Sequence, residues 1–156
     1  MKKRVMVIGA GGAGLTAAVA AAKEGAEVVL LAKTGPGNVN CTAYSGGFFS
    51  LASGSVSPED HMSRVLKTGR DVNDRNLLRI LAFECEGALR TLQSWGVAMR
   101  INNSGRASVR ESAPSEIMGG AGMTRELTRI AKAEGVSILP DCAATRLLIG
   151  EKGVEG

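Results

Sequence analysis

Residues 5–14 read Val5-Met6-Val7-Ile8-Gly9-Ala10-Gly11-Gly12-Ala13-Gly14. The first four are wholly apolar and mostly β-branched, the composition of a short strand buried on both faces. They run directly into Gly9-x-Gly11-x-x-Gly14, a spacing in which each glycine has a task. Gly9 permits the sharp exit from the strand, Gly11 lets a pyrophosphate approach the backbone, and Gly14 lets helix and strand pack without a side chain between them. A helical pattern follows over about 13–23, rich in Ala17, Ala18, Ala20, Ala21 and Ala22, with Gly25 as its stop. Glu27 to Leu31 is a second apolar strand. Strand, glycine turn, helix and strand within about thirty residues make a βαβ unit. Its helix N-terminus offers free N–H groups and a positive dipole to phosphates. The flanking strand and helix give the glycine spacing a specificity it lacks alone.

A dinucleotide site usually carries an acid at the end of the second strand, bonded to the ribose. Here Ala32 and Lys33 stand there. NAD loses its best support, FAD loses some, and this motif leaves both open.

Further along, 34–54 is rich in Gly, Ser and Asn, yet too apolar at Phe48, Phe49 and Leu51 for a disordered linker. It is expected to be an ordered, cofactor-lining loop with a short helix. Ser57-Pro58-Glu59-Asp60 is a helix start, with a hydroxyl cap, Pro in the first turn and acids near the positive dipole end. That helix is expected to end near Thr68. A longer one begins near Asn73, keeps Leu77, Leu78, Ile80, Leu81, Ala88, Leu89 and Leu92 as its apolar positions, and stops at Gly96. Residues 100–115 read as polar and irregular. Gly119 to Gly122 leads into a helix through Leu127, Ile130 and Ala131, closed by Gly135. Val136 to Leu139 and Ala143 to Ile149 read as strands, and Glu151-Lys152-Gly153 as a hairpin turn. The fold class is α/β.

The stretch Lys33-Thr34-Gly35-Pro36-Gly37-Asn38-Val39-Asn40-Cys41-Thr42-Ala43-Tyr44-Ser45-Gly46-Gly47 resembles the flavin loop of the fumarate reductase and succinate dehydrogenase flavoprotein family, which includes L-aspartate oxidase. The segments 57–70 and 73–97 resemble the helical segment next in order in that family. Segments 122–135 and 136–148 resemble its return to the adenine side of the sheet, so the likeness covers nearly the whole chain. The resemblance implies a Rossmann-like FAD-binding domain with a parallel sheet. It assigns Gly9, Gly11, Gly12, Ala13 and Gly14 to the pyrophosphate turn, and the backbone near Ala32 and Lys33 to the ribose. Asn40, Cys41 and Thr42 fall where the chain approaches the phosphates and flavin edge, Cys41 replacing a hydroxyl. Gly46 and Gly47 match the glycines lying against the isoalloxazine ring, and Ala144 matches a backbone contact to adenine. Asn40 also occupies the position of the covalently flavinylated His of the respiratory members, so non-covalent FAD is expected.

The same resemblance places the substrate-binding and proton-shuttling residues in a capping domain, so no catalytic residue is expected among these 156. Residues 1–156 are expected to be the amino-terminal part of an FAD-binding domain, incomplete at the carboxy end, with an unpaired sheet edge that favours association. Such a chain would be inactive alone and would serve a small-molecule, dicarboxylate-type substrate and an electron-transfer partner in the complete protein. Two alternatives stay open: an NAD(P)-binding Rossmann module, and a non-catalytic truncated or split subunit.

Composition excludes other classes. The chain is 44% hydrophobic and 22% charged, enough to bury a core. Aromatics are only 3%, and the net charge of +4 is dispersed, which argues against nucleic acid as a partner. No apolar run is long enough for an integral membrane span, and the glycines after Met1-Lys2-Lys3-Arg4 would break a secretory signal helix. Cys41, Cys85 and Cys142 are scattered and odd in number, as reduced thiols of a cytoplasmic protein and not as a metal site. His61, the only histidine, reads as a solvated residue at a helix start, and Tyr44 and Trp95 as packing groups.

Overall fold

The computed structural model describes residues 2–37, 39–109, 119–151 and 153–155. Strand β1 (Arg4–Ile8), helix α1 (Gly12–Lys23) and strand β2 (Glu27–Leu31) form the expected βαβ unit. β1 and β2 run parallel with Val5 opposite Val28 and Val7 opposite Leu30. After β3 (Phe48–Ser50), α2 (Pro58–Thr68), α3 (Arg75–Ser94), β4 (Met99–Ile101), β5 (Arg106–Val109) and α4 (Gly119–Ala133), strand β6 (Ser137–Leu139) joins β2 in parallel. The sheet order is β1-β2-β6.

The helices start and stop where their ends find hydrogen-bond partners. Ser57 accepts from the Asp60 N–H at 3.0 Å to cap α2, and Asp74 accepts from the Asn76 and Leu77 amides to cap α3. α1, α3 and α4 each end with paired bonds back into the last turn and a left-handed glycine, at Gly25, Gly96 and Gly135. α1 and α4 pack side by side on one face of the parallel sheet, joined at their far ends by a Lys23–Glu134 ion pair of 2.6 Å. The core there holds Leu15, Ala18, Val19, Val28, Leu30, Leu127 and Ile130.

Four expectations need correction. First, β1 is not buried on both faces. Val5 and Val7 face the core, but Met6 and Ile8 are 59% and 54% exposed, because no helix covers the opposite side of the sheet among the described residues. Second, 34–54 holds no helix among its described residues but contains β3, and part of the irregular stretch is β4 and β5. These form a separate antiparallel sheet ordered β3-β5-β4, with Phe49, Ala107 and Ile101 aligned across it and packed on the core. Residues 110–115 of that stretch lie outside the described residues. Third, Ala143 to Leu148 is not a strand: it is exposed and joins no ladder among the described residues. Only β7 (Ile149–Gly150) pairs there, with β8 (Gly153–Val154), as the expected hairpin, whose turn residue Lys152 lies outside the described residues. Fourth, His61 is not solvated. It is 1% exposed, on the face of α2 turned inward.

Candidate functional site

The site is assembled where β1 and β2 end. Gly9 leaves β1 with φ +104°, a conformation open to glycine, and its amide donates to the Leu31 carbonyl at 2.8 Å. The turn is thereby tied to the end of β2. A Cβ on Gly14 would overlap the Gly9 carbonyl oxygen, so helix and strand meet here only because residue 14 has none. Gly11 caps α1 without a side-chain bond. A Cβ there would make nothing closer than ordinary contact, 3.6 Å from the Thr42 hydroxyl. Protein packing therefore does not demand glycine at 11, whereas a pyrophosphate lying against the backbone would.

Above this turn is a cavity of about 220 Å³ lined by Gly9, Ala10, Gly11, Ala32, Lys33, Thr34, Gly35, Val39 and Asn40. Five residues assigned from sequence meet in it: Gly9, Gly11, Ala32, Lys33 and Asn40. Thr34, Gly35 and Val39 were not assigned, although they stand in the same 33–47 loop. Their place in the lining is not legible in the sequence, because a loop's inward side has no period. Ala32 itself is buried, its N–H donating to Leu139 and its carbonyl accepting from the Cys142 N–H, each at 2.9 Å. The chain leaving β6 thus passes the mouth of the cavity.

The loop at 40–47 is fastened to the turn by side chains. Asn40 donates through Nδ2 to the Ala10 carbonyl at 3.3 Å and accepts from the Ala43 N–H at 2.9 Å. The Thr42 hydroxyl accepts from the Gly12 N–H at 3.0 Å. Gly47, at φ +70°, is buried against the start of α4, where a Cβ would collide with the backbone of Gly119. Gly46 is exposed beside it. Gly12, Ala13, Cys41 and Thr42 face a second, mostly apolar cleft of about 840 Å³ between α1 and α3, which also takes in Phe48, Leu81 and Cys85. Burial raises the Cys85 thiol above its ordinary pKa. Ala144 is not brought to the turn. It lines a third cavity, of about 870 Å³, on the open face of the parallel sheet beside Met6 and Ile8.

His61 takes no part in these cavities. Burial pushes its pKa below the ordinary value, the Arg64 charge adds to this, and the Ser50 backbone opposes it. Neither ring nitrogen has a hydrogen-bond partner. Among the described residues no three or more His, Cys, Asp or Glu gather as a metal site, and no helix is long and apolar enough to cross a membrane.

A glycine turn between parallel strands, a positive helix end and a loop locked over both define a dinucleotide-binding α/β domain. Known proteins narrow the class. Residues 4–156 match the family model of the FAD binding domain. The fumarate reductase (cytochrome) of Shewanella frigidimarina is 29% identical over 163 aligned residues, 97% of this chain and 27% of that protein. The succinate dehydrogenase flavoprotein subunit of Rickettsia bellii is 30% identical over 105 residues, 65% of this chain and 17% of that one. Among solved structures, the open conformation of a flavocytochrome c3 fumarate reductase shares the fold with a TM-score of 0.79 and 23% identity, over 96% of this chain and 28% of that chain. The chain belongs to the FAD-binding domain family of the fumarate reductase and succinate dehydrogenase flavoproteins. It spans about a quarter or less of the length of relatives such as these.

Proposed function

We propose that these residues form the amino-terminal cofactor-binding part of a flavin-dependent oxidoreductase that exchanges hydride with a dicarboxylate-type substrate and passes electrons to a partner. The observation that carries this is the fastening of the 40–47 loop to the glycine turn, which puts a phosphate cradle and a flavin-side loop in one rigid unit. Bound FAD supplies the hydride chemistry. Gly9, Gly11 and the first turn of α1 hold its pyrophosphate, with Gly14 keeping helix and strand close enough to do so. Ala32 and Lys33 face the ribose, and Lys33 adds a positive charge beside the phosphates. Cys41 and Thr42 lie toward the flavin edge, and Gly46 and Gly47 lie against the ring through their backbone. Ala144 contributes a backbone contact to adenine, the role its match to the family implies.

Attachment is non-covalent, because Asn40 has no imidazole to alkylate and its amide is engaged with Ala10 and Ala43. Substrate selection belongs to other parts of the complete protein, which works in the cytoplasm with Cys41, Cys85 and Cys142 reduced. Calorimetric titration tests the cofactor: FAD is expected to bind and NAD(H) not, and preference for NAD(H) would refute the proposal. Flavin fluorescence that stays with the chain on a denaturing gel would refute non-covalent attachment. Fumarate turnover with a reduced dye by these 156 residues alone would refute the placing of catalysis elsewhere.

A further inference from the structure

The Thr42 hydroxyl stands one residue after Cys41, where the family resemblance places a hydroxyl, and it does not point into the nucleotide cavity. It accepts the Gly12 N–H at 3.0 Å, one of the first amides of α1. The same residue's carbonyl accepts both the N–H and the hydroxyl of Ser45, at 3.1 and 2.8 Å. The Ser45 carbonyl in turn accepts the Gly120 N–H at 3.1 Å. A continuous path of hydrogen bonds therefore runs from the pyrophosphate turn through Thr42 and Ser45 to the start of α4, against which Gly47 is wedged. The contact is tight on both sides. A Cβ on Gly12 would come within 3.2 Å of the Thr42 side chain, and one on Gly120 would overlap the Thr42 carbonyl.

We infer that Thr42 is a positioning residue that fixes the offset between the phosphate turn and the Gly46–Gly47 segment, so that it governs ligands spanning both and not ligands held by the turn alone. The inference rests on the proposed FAD function. A molecule with a pyrophosphate and a flavin must satisfy turn and loop together, and misalignment between them weakens it. ADP needs only the turn.

The test is calorimetric titration of the cofactor-free chain with FAD and with ADP, in the wild type, Thr42→Val and Thr42→Ser. Valine keeps the shape and removes the hydroxyl, and serine retains it. Loss of one hydrogen bond of ordinary strength is expected to weaken FAD about tenfold in T42V. ADP should stay within about twofold, less than half a kcal/mol, and T42S should recover FAD binding. Equal weakening of both ligands in T42V would mean general damage and overturn the inference. So would wild-type FAD affinity in T42V, or failure of T42S to restore it. Binding of neither ligand by the wild type would instead defeat the FAD reading itself. If T42V does not fold, or ADP is too weak to titrate, amide exchange at Gly12 in the wild type decides. Protection supports the inference, and exchange at the rate of an open amide overturns it.

Discussion

At Gly14 the first turn of α1 lies directly on the Gly9 carbonyl, leaving no room for even a methyl group. The atom in the way is backbone at the exit of β1, so it cannot rotate aside. Gly14→Ala is expected to cost about 2–3 kcal/mol, the upper range for overpacking, and to abolish FAD binding by moving the helix end off the turn. Thermal unfolding and FAD titration of the variant check both. His61 is sensitive for an electrostatic reason. Its pKa is lowered from 6.5, chiefly by burial, so the folded chain binds fewer protons there than the unfolded chain. Its neutral form is compatible with the fold above the unfolded value. As pH falls below about 6.5, protonation increasingly favours unfolding, by up to about 1.4 kcal/mol per pH unit until the folded value is reached. His61→Phe should flatten the melting temperature between pH 7.5 and 5.5, and an unchanged slope would remove His61 as the cause. The cysteines divide by the same physics. Cys41 and Cys142 are exposed, whereas the half-buried Cys85 thiol is held protonated by desolvation. Iodoacetamide followed by peptide mass spectrometry should label the first two well before the third.

Helix α2 differs from the other helices in how it stops. The paired bonds that close it come from the amides of Arg70 and Asp71, and Arg70 takes the left-handed conformation, φ +51°, that glycine fills at the ends of α1, α3 and α4. Arg70→Gly is therefore expected to stabilise the chain by about 0.5–1 kcal/mol, read as a rise in melting temperature. That the other three ends were legible in the sequence has the same origin. Gly25, Gly96 and Gly135 are local signals, as are the Ser57-Pro58 start and the β-branched run before Gly9. What was not legible depends on distant partners. Phe48 pairs with Ser108, and Arg100 with the same Ser108, across a sheet whose strands are three or four residues long. Such strands are too short to show alternation, and the outward positions mix exposed Phe48 with Ser50, Arg100 and Arg106, so no clean period marks them. The reverse error at Ala143–Leu148 arose because apolar content was read as strand, while the ladder that makes a strand has to come from a neighbour. At the site, the glycines were legible because steric need restricts the residue type. The contacts of Thr34, Gly35 and Val39 with the cavity depend on the path of the loop, which no spacing encodes.

On the scale of the molecule, helices cover the parallel sheet on one side only among the described residues. α1 and α4 bury Val5, Val7, Val28 and Leu30, while the other side presents Met6 and Ile8, with Leu147 and Leu148 nearby at 52% and 55% exposure. The 143–147 segment and the β7–β8 hairpin border a cavity of about 870 Å³ over this face without filling it. Apolar surface of this kind is normally buried by further chain or by association. β1 also keeps one edge without a paired strand among the described residues, which adds a template for strand addition. These 156 residues in isolation are therefore expected to bind an apolar dye such as anilinonaphthalene sulfonate and to self-associate with rising concentration. Because Ile8 is more than half exposed, Ile8→Thr should change stability by only about 0.5 kcal/mol while reducing both effects. Dye binding and sedimentation across a concentration series measure the two together. A monomer that binds no dye would mean that residues 143–155 close onto the sheet in solution. The contact proposed between Ala144 and adenine would then lie on the sheet face opposite α1 and α4, away from the glycine turn.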